Sequence, residues 1–331
     1  MSSAVIDVVG IGNAIVDVIA HADERFIAAE GLAPGAMTLI DAARAEALYR
    51  AIGPAIESSG GSAGNTMAGL ASLGGAGGYI GKVRDDLLGT VFRHDITAIG
   101  VRFDTPAATA GPGTARCLIL VTPDGQRTMA TYLGACVDLG PEDIDPALIA
   151  AAQITYLEGY LFDPPRAQEA FRAAAAIAHR AGRRVALSLS DPFCVGRHRA
   201  AFRELVAGEV DILFANEAEI CSLYETDDFT AAAAAVRGHV AVAALTRSAE
   251  GSAVFADSEV YSVAAMPVAR IVDTTGAGDL YASGFLYGLT HGLGLPICGA
   301  VGSLCAAEII SHVGARPETA LSGLVKAAGL L

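Results

Sequence analysis

The 331 residues carry 36 acidic side chains against 22 basic ones, a formal net charge of −14. That balance argues against nucleic acid or an anionic membrane as partner, since both select basic surfaces. Only two lysines occur, Lys82 and Lys326, so a mechanism resting on several lysines is excluded as well. The length suits one large α/β domain with an insertion, or two domains. The six cysteines form no C-x-x-C pair, and the first residues lack the basic and apolar regions of a signal peptide. Reduced thiols and a cytoplasmic location are therefore expected. No uncharged apolar run reaches membrane-spanning length. The seven histidines show no H-E-x-x-H pattern, so zinc is not expected.

Residues 5–12 read as a buried first strand and residues 15–20 as a second extended run. Gly10-x-Gly12 hints at a dinucleotide fold, but Ile15 stands where the third glycine belongs. Asn13 and Asp17 read on their own as turn and strand-edge polars, although an aspartate can accept from two vicinal hydroxyls at once. Residues 23–31 and 41–52 look helical, with a strand over 37–40 between them. Residues 58–66 form a flexible glycine loop that runs into an apolar helix over 67–74. A solvated linker would not enter a buried helix directly. The region is no Walker A loop: Gly81-Lys82 has Ala76 five residues earlier and Val83 after it. Residues 79–86 read as strand then loop, and 86–99 as a helix.

Strands over 114–121 and 126–133 flank the turn Thr122-Pro123-Asp124-Gly125. With the strands near 15–20 and 37–40 they predict a small sheet, a lid built roughly from 13–40 and 105–136. Arg127 on this hairpin is either a solvated edge arginine or one that reaches phosphates on closure. Beyond 141 strands are expected over 154–158, 184–188, 212–215, 240–246, 252–256 and 259–263. Helices are expected over 164–180, 197–207, 217–224 and 230–237. This alternation predicts a mostly parallel sheet with helices on both faces and ligands beyond the C-terminal strand ends. Asp17, Asn65, Asn216, Thr246 and Asp273 all follow strands or precede helices in this scheme, which supports a shared site. Asn216-Glu217-Ala218-Glu219 satisfies the pattern of a helix cap with an acidic first turn.

Asp273-Thr274-Thr275-Gly276-Ala277-Gly278-Asp279 precedes a long apolar run of helical length. Glycines at a helix start permit close approach, and the free N–H groups of the first turn hold anions. A carboxylate there is suited to take a proton, which is what phosphoryl transfer to a hydroxyl requires.

This seven-residue string resembles the C-terminal signature of the ribokinase (PfkB) family of carbohydrate and nucleoside kinases, and residues 58–66 resemble its first signature. The resemblance covers nearly the whole chain and implies a ribokinase-like α/β fold with a small β-sheet lid. It implies Asp279 as catalytic base, and Gly276, Ala277 and Gly278 as anion hole. It further implies ATP with Mg2+, the metal held through water by Glu219. Gly12-Asn13-Ala14-Ile15-Val16-Asp17, residues 187–193 and residues 210–217 are similar to the adenosine kinases within the family. That likeness implies Asn13, Asp17, Gly61 and Asn65 on the ribose and Leu39, Met129, Leu133 and Phe193 around the base. Arg127, Asn216, Glu219, Thr246, Ser248 and Gly251 would serve phosphate and ATP, with Ser248 where the family commonly has glycine. Asp273 and Thr275, with the Val313-Gly314-Ala315 loop, would offer oxygens to K+. The expected reaction is phosphorylation of a nucleoside 5′-hydroxyl, adenosine first, with a sugar such as ribose or fructose as the alternative. A nicotinamide dehydrogenase would leave the Asp273–Asp279 string without a role, and a silent nucleoside-binding protein would not need Asp279. Monomer and homodimer both remain open.

Overall fold

The computed structural model describes residues 6–331. Val5, included in the expected first strand, lies outside them. Strand β1 (Ile6–Ile11) is apolar but for Asp7 and lies inside the main sheet, one strand from its edge, covered on both faces. The chain then leaves for an excursion: β2 (Ile15–His21), α1 (Glu24–Ala29), β3 (Met37–Leu39), α2 (Ala42–Ala51) and β4 (Ala55–Ser59). Helix α3 (Ser62–Ser72) brings it back to β5 (Gly77–Ile80) beside β1. After α4 (Leu87–Ala98) a second excursion makes the hairpin β6 (Ala115–Val121) and β7 (Arg127–Tyr132).

From there strands and helices alternate. They are α5 (Pro146–Ala151), β8 (Ala152–Glu158), α6 (Pro165–Arg180), β9 (Arg184–Ser188), α7 (Pro192–Gly208), β10 (Ile212–Asn216), α8 (Glu217–Tyr224), α9 (Phe229–Val236) and β11 (Val242–Thr246). The antiparallel pair β12 (Ser252–Ala256) and β13 (Glu259–Val263) closes one edge. Helices α10 (Ala277–Thr290), α11 (Leu295–Ile309) and α12 (Leu321–Ala327) complete the chain. The main sheet has the order β13-β12-β11-β10-β9-β8-β1-β5, and the second sheet has the order β3-β7-β6-β2-β4. Helices α3, α10 and α11 pack on one face of the main sheet and α5 to α9 on the other. Among the described residues no helix is long and apolar enough to cross a membrane.

Four local expectations need correcting. Residues 55–59 are a strand, not the start of a loop, because their backbone pairs antiparallel with β2. Helix α3 begins at Ser62 and not Met67, since Gly61 at φ +83° turns the chain into it. Helix α7 begins at Pro192, where Asp191 caps the N–H groups of Phe193 and Cys194. The sequence reading also passed over α5, α11 and α12.

The tightest packing is between α10 and α11. A Cβ on Gly284 would lie 2.8 Å from the backbone of Val301 and Gly302. Backbone cannot swing aside as a side chain can, so Gly284→Ala should cost about 1–3 kcal/mol of stability. Gly323, inside α12, has nothing within 4 Å of such a Cβ. There an alanine should add about 0.5–1 kcal/mol through helix propensity. Urea unfolding of the two variants should therefore move in opposite directions.

Candidate active site

The parallel strands deliver their C-terminal ends to one edge, and β1 and β8 end side by side. Glu158, the last residue of β8, is buried there and ties three segments together. Its Oε1 accepts from the Asn13 amide (2.7 Å) and backbone N–H (3.3 Å), and its Oε2 from the Ala63 N–H (2.8 Å). A Cβ on Gly12 would stand 2.2 Å from Glu158 Oε2, so glycine is required beside this carboxylate. Gly61 is required for a second reason besides its φ, because the Asn13 carbonyl oxygen lies 2.2 Å from where its Cβ would be. Burial pushes the Glu158 carboxyl up to about 7, against the pull of the Ala63 and Asn13 donors.

Asp17 lies on β2 in a row that crosses the whole second sheet: Leu39, Thr131, Cys117, Asp17, Ser58. Residues paired in register share a face. The adjoining row is Met37, Met129, Ile119, Ile19, Ile56, apolar throughout. The same sheet borders a cavity of about 230 Å³ lined by Leu39, Ile40, Pro112, Thr131, Tyr132, Leu133, Gly134 and Val137. The structure thus brings Asp17, Leu39, Met129 and Leu133 to one region. Phe193 comes from the start of α7 and is 77% exposed. No hydrogen bond engages the Asp17 carboxylate among the described residues. It rests against Gly60, where a Cβ would come within 2.4 Å. Burial pushes it up to about 6, while Arg316 and Arg127 hold it down.

Asp279 sits in the first turn of α10, whose N-cap Gly276 has φ +78°. The Ser62 hydroxyl donates to Oδ1 (2.6 Å) and the Asn65 amide to Oδ2 (3.0 Å). Asn65 Oδ1 is buried without a partner. Asn65 therefore grips Asp279 with its nitrogen and offers its oxygen as an acceptor. Burial raises the Asp279 carboxyl above the usual range, and Ser62, Asn65 and Arg316 limit the rise. Ahead of the turn, Asp273 accepts from the Thr275 N–H (3.0 Å) and hydroxyl (2.7 Å), the Gly314 N–H (3.0 Å) and Arg127. Both Arg127 and Asp273 are buried, so Arg127 is no solvated edge residue. Burial works against the Asp273 charge, but the Gly314 and Thr275 donors and Arg127 outweigh it and hold the carboxyl low. Its two oxygens already face four donors, one of them cationic, which does not fit a potassium ligand.

Asn216 and Thr246 are direct neighbours in the register of β10 and β11. Asn216 and Glu219 form a full capping box with distances of 2.6–2.9 Å. Both Glu219 oxygens are thereby used, which suits outer-shell contact with a hydrated cation better than direct ligation. Burial pushes Glu219 up to about 7, with Asp191 and Asp279 adding to it. The loop after Thr246 is a 3-10 turn over Ser248–Glu250, closed by a hydrogen bond from the Arg247 N–H to the Gly251 carbonyl (2.7 Å). Ser248 adopts φ +50°, a left-handed conformation that glycine takes without strain. Arg247 bridges Glu217 and Glu250 above the Phe229 ring.

Sequence reasoning missed Glu158, Ser62, Arg316 and Tyr160. Glu158 had a signal, the lone carboxylate of a buried strand, standing at its C-terminal end. Ser62 could be found only once the helix start moved to it. Tyr160 follows β8 and is 41% exposed, and burial, with the Asp191, Asp279 and Glu219 carboxylates, pushes its hydroxyl up.

Raised carboxyl groups make folding take up protons. For Glu158 the folded value near 7 exceeds the unfolded 4.5, so stability should fall as pH rises across that interval and level off above it. Urea unfolding at successive pH values should show this decline, and Glu158→Gln should make it shallower. A slope unchanged in the variant would remove Glu158 as its source.

Residues 53–320 match the sequence profile of the pfkB family of carbohydrate kinases. The structure of a probable sugar kinase from Rhizobium etli superposes with a TM-score of 0.92 at 51% identity, covering 99% of this chain and 100% of that one. The adenosine kinase from Sinorhizobium meliloti superposes with a TM-score of 0.90 at 53% identity, covering 98% and 99%. The ATP-dependent ribose-1-phosphate kinase of Halopiger xanaduensis is 32% identical over 238 residues, 70% of this chain and 73% of that protein. With Asp279 held at the start of α10 and this likeness across the chain, the protein belongs to the pfkB family of carbohydrate kinases, phosphotransferases with an alcohol group as acceptor.

Proposed function

We propose that the chain transfers the γ-phosphoryl group of ATP to the 5′-hydroxyl of a nucleoside, adenosine foremost. The row across the second sheet carries this reading. It sets an uncommitted carboxylate, Asp17, about 14 Å from Leu39 on one face, three strand spacings apart, with the apolar cavity at the far end. A ligand for that surface has vicinal hydroxyls at one end and a flat apolar group at the other. A free sugar has only the first. The exposed ring of Tyr160 offers a further aromatic face.

In this scheme Asp17 accepts from the ribose hydroxyls, and Asn65 Oδ1 takes one of the same set. Glu158 keeps Asn13 and the start of α3 in place. The 5′-hydroxyl points to Asp279, which takes its proton as the oxygen bonds to the γ-phosphorus. The bond from that phosphorus to the β-phosphate oxygen breaks and ADP leaves. The N–H groups of Gly276 and Gly278 would face the charge on the transferred group, with Ala277, whose N–H also donates to the Thr274 carbonyl (3.2 Å), between them. Mg2+, when bound, neutralises phosphate charge, and Glu219 would hold its water shell. Asn216, Thr246, Ser248 and Gly251 would border the nucleotide. Asp273 is filled by its donors, so potassium is given no step.

Asp279→Asn should lower kcat by about 10²–10⁴ with acceptor binding retained, because the base acts in the transition state. Asp17→Ala should weaken adenosine by about 10- to 100-fold and ATP little, as expected for lost hydrogen bonds worth about 1–3 kcal/mol. Rates for adenosine, deoxyadenosine, ribose and fructose at one ATP concentration test the acceptor. Adenosine should lead, and efficient turnover of a free sugar without turnover of adenosine would replace the nucleoside reading by a sugar one.

A further inference from the structure

Arg316 lies in the loop after α11, outside every motif used above. Its guanidinium is spent on one short segment. Nε donates to the Ser59 carbonyl (3.0 Å) and Nη1 to the Gly64 carbonyl (2.8 Å). Nη2 donates to the Ser59 carbonyl and to its hydroxyl (2.9 Å). These two carbonyls bracket residues 60–63. That bracket contains Gly60, on which the Asp17 carboxylate rests, and Ser62, which donates to Asp279. Asn65, the other donor to Asp279, follows at once. Ser59 is gripped from its other side by Asp95, which accepts from its N–H (2.7 Å) and hydroxyl (2.6 Å).

The loop that carries Arg316 is itself fixed. Glu308 accepts from the N–H groups of Glu318 (3.0 Å) and Thr319 (2.9 Å), with His312 beside it, and Gly314 donates to Asp273. The charged and titratable groups facing the guanidinium come from four elements: Asp17 on β2, Asp95 on α4, Tyr79 on β5 and Asp279 on α10. Two of these, Asp17 and Asp279, have to be ionised together for acceptor binding and proton removal. Two like charges in a site short of water oppose each other's ionisation unless a fixed cation stands between them. An arginine stays charged when buried, and its planar fork can hold two carbonyls at a set spacing, which an ammonium group cannot.

We propose that Arg316 is a positioning residue for phosphoryl transfer, its fork fixing the turn between Ser59 and Gly64 and its charge serving as the shared counter-ion of Asp17 and Asp279. The proposal rests on the kinase reading above for its assay, but it holds for any hydroxyl acceptor.

The test compares Arg316→Met and Arg316→Lys with the unaltered enzyme. The acceptor panel is run on the unaltered enzyme first, so failure of the nucleoside reading appears there, and the best acceptor found serves for the variants. In Arg316→Met the acid limb of kcat/KM should move up by about one pH unit, because both carboxyls lose the cation they share, which acts beside Arg127 on Asp17 and beside the Ser62 and Asn65 donors on Asp279. Its kcat should fall by about 100-fold. Arg316→Lys, which keeps the charge and loses the fork, should leave the limb in place and lower kcat by about 10-fold. Calorimetric binding of the acceptor across pH gives a readout free of turnover, and in Arg316→Met affinity should be lost at a higher pH. A folded Arg316→Met with the unaltered limb and binding profile overturns the proposal. If melting curves show Arg316→Met unfolded, Arg316→Lys decides: unaltered kcat and KM there overturn it too.

Discussion

Much of this structure depends on one buried carboxylate. Glu158 has its charge in a place that disfavours charge, and it is kept there by donors from the β1 exit and the α3 entry. The two segments that carry Asn13 and Asn65, proposed for the acceptor side, are thus hung from a third, β8, which carries none of the expected motif. The arrangement explains why small residues crowd this point. Gly12 and Gly61 leave room for a carboxylate and a carbonyl to come closer than any side chain would permit.

The anion side is organised by the same means with the opposite partner. Asp273 gathers Thr275, Gly314 and Arg127 around one carboxylate, and Arg127 belongs to the second sheet. A buried pair of this kind adds little net stability against an apolar alternative, but losing one partner leaves an unpaired charge. Its effect is to fix register between the turn before α10 and a sheet built from distant sequence.

The main sheet was legible because its strands are short apolar runs separated by amphipathic helices, and position in sequence follows position in space from β8 to β13. The second sheet was legible in part. Its hairpin declared itself through Thr122-Pro123-Asp124-Gly125, whereas β4 did not, because Ala55–Ser59 carries few β-formers and is held by pairing with β2. At the site, Asn65, Asp273 and Asp279 stood out through glycine-rich surroundings, and Asp17 through the family resemblance of residues 12–17. Glu158 and Arg316 did not, since their work is done on backbone groups more than 90 residues away in sequence for Glu158 and more than 250 for Arg316. Local sequence marks Glu158 as the lone carboxylate of β8, but it carries no mark of the partners of either residue. Asn65 shows a third limit: the residue was found, but its hold on Asp279 required coordinates.

The position of β1 has a consequence for how the chain is made. It is made before the other described strands, yet it lies between β5 and β8, and its pairing with β8 joins Ile6 to Ala152 and Ile11 to Leu157. Until the nascent chain reaches that length, a largely apolar strand is left with at least one open edge. Such edges recruit other strands. The two excursions that build the second sheet fall within this waiting period, and β2 must in turn wait for β6, with which it pairs from Ile15 to His21. Early in synthesis β1 and β2 are therefore incompletely paired, and each completes its pairing only when later sequence has been made.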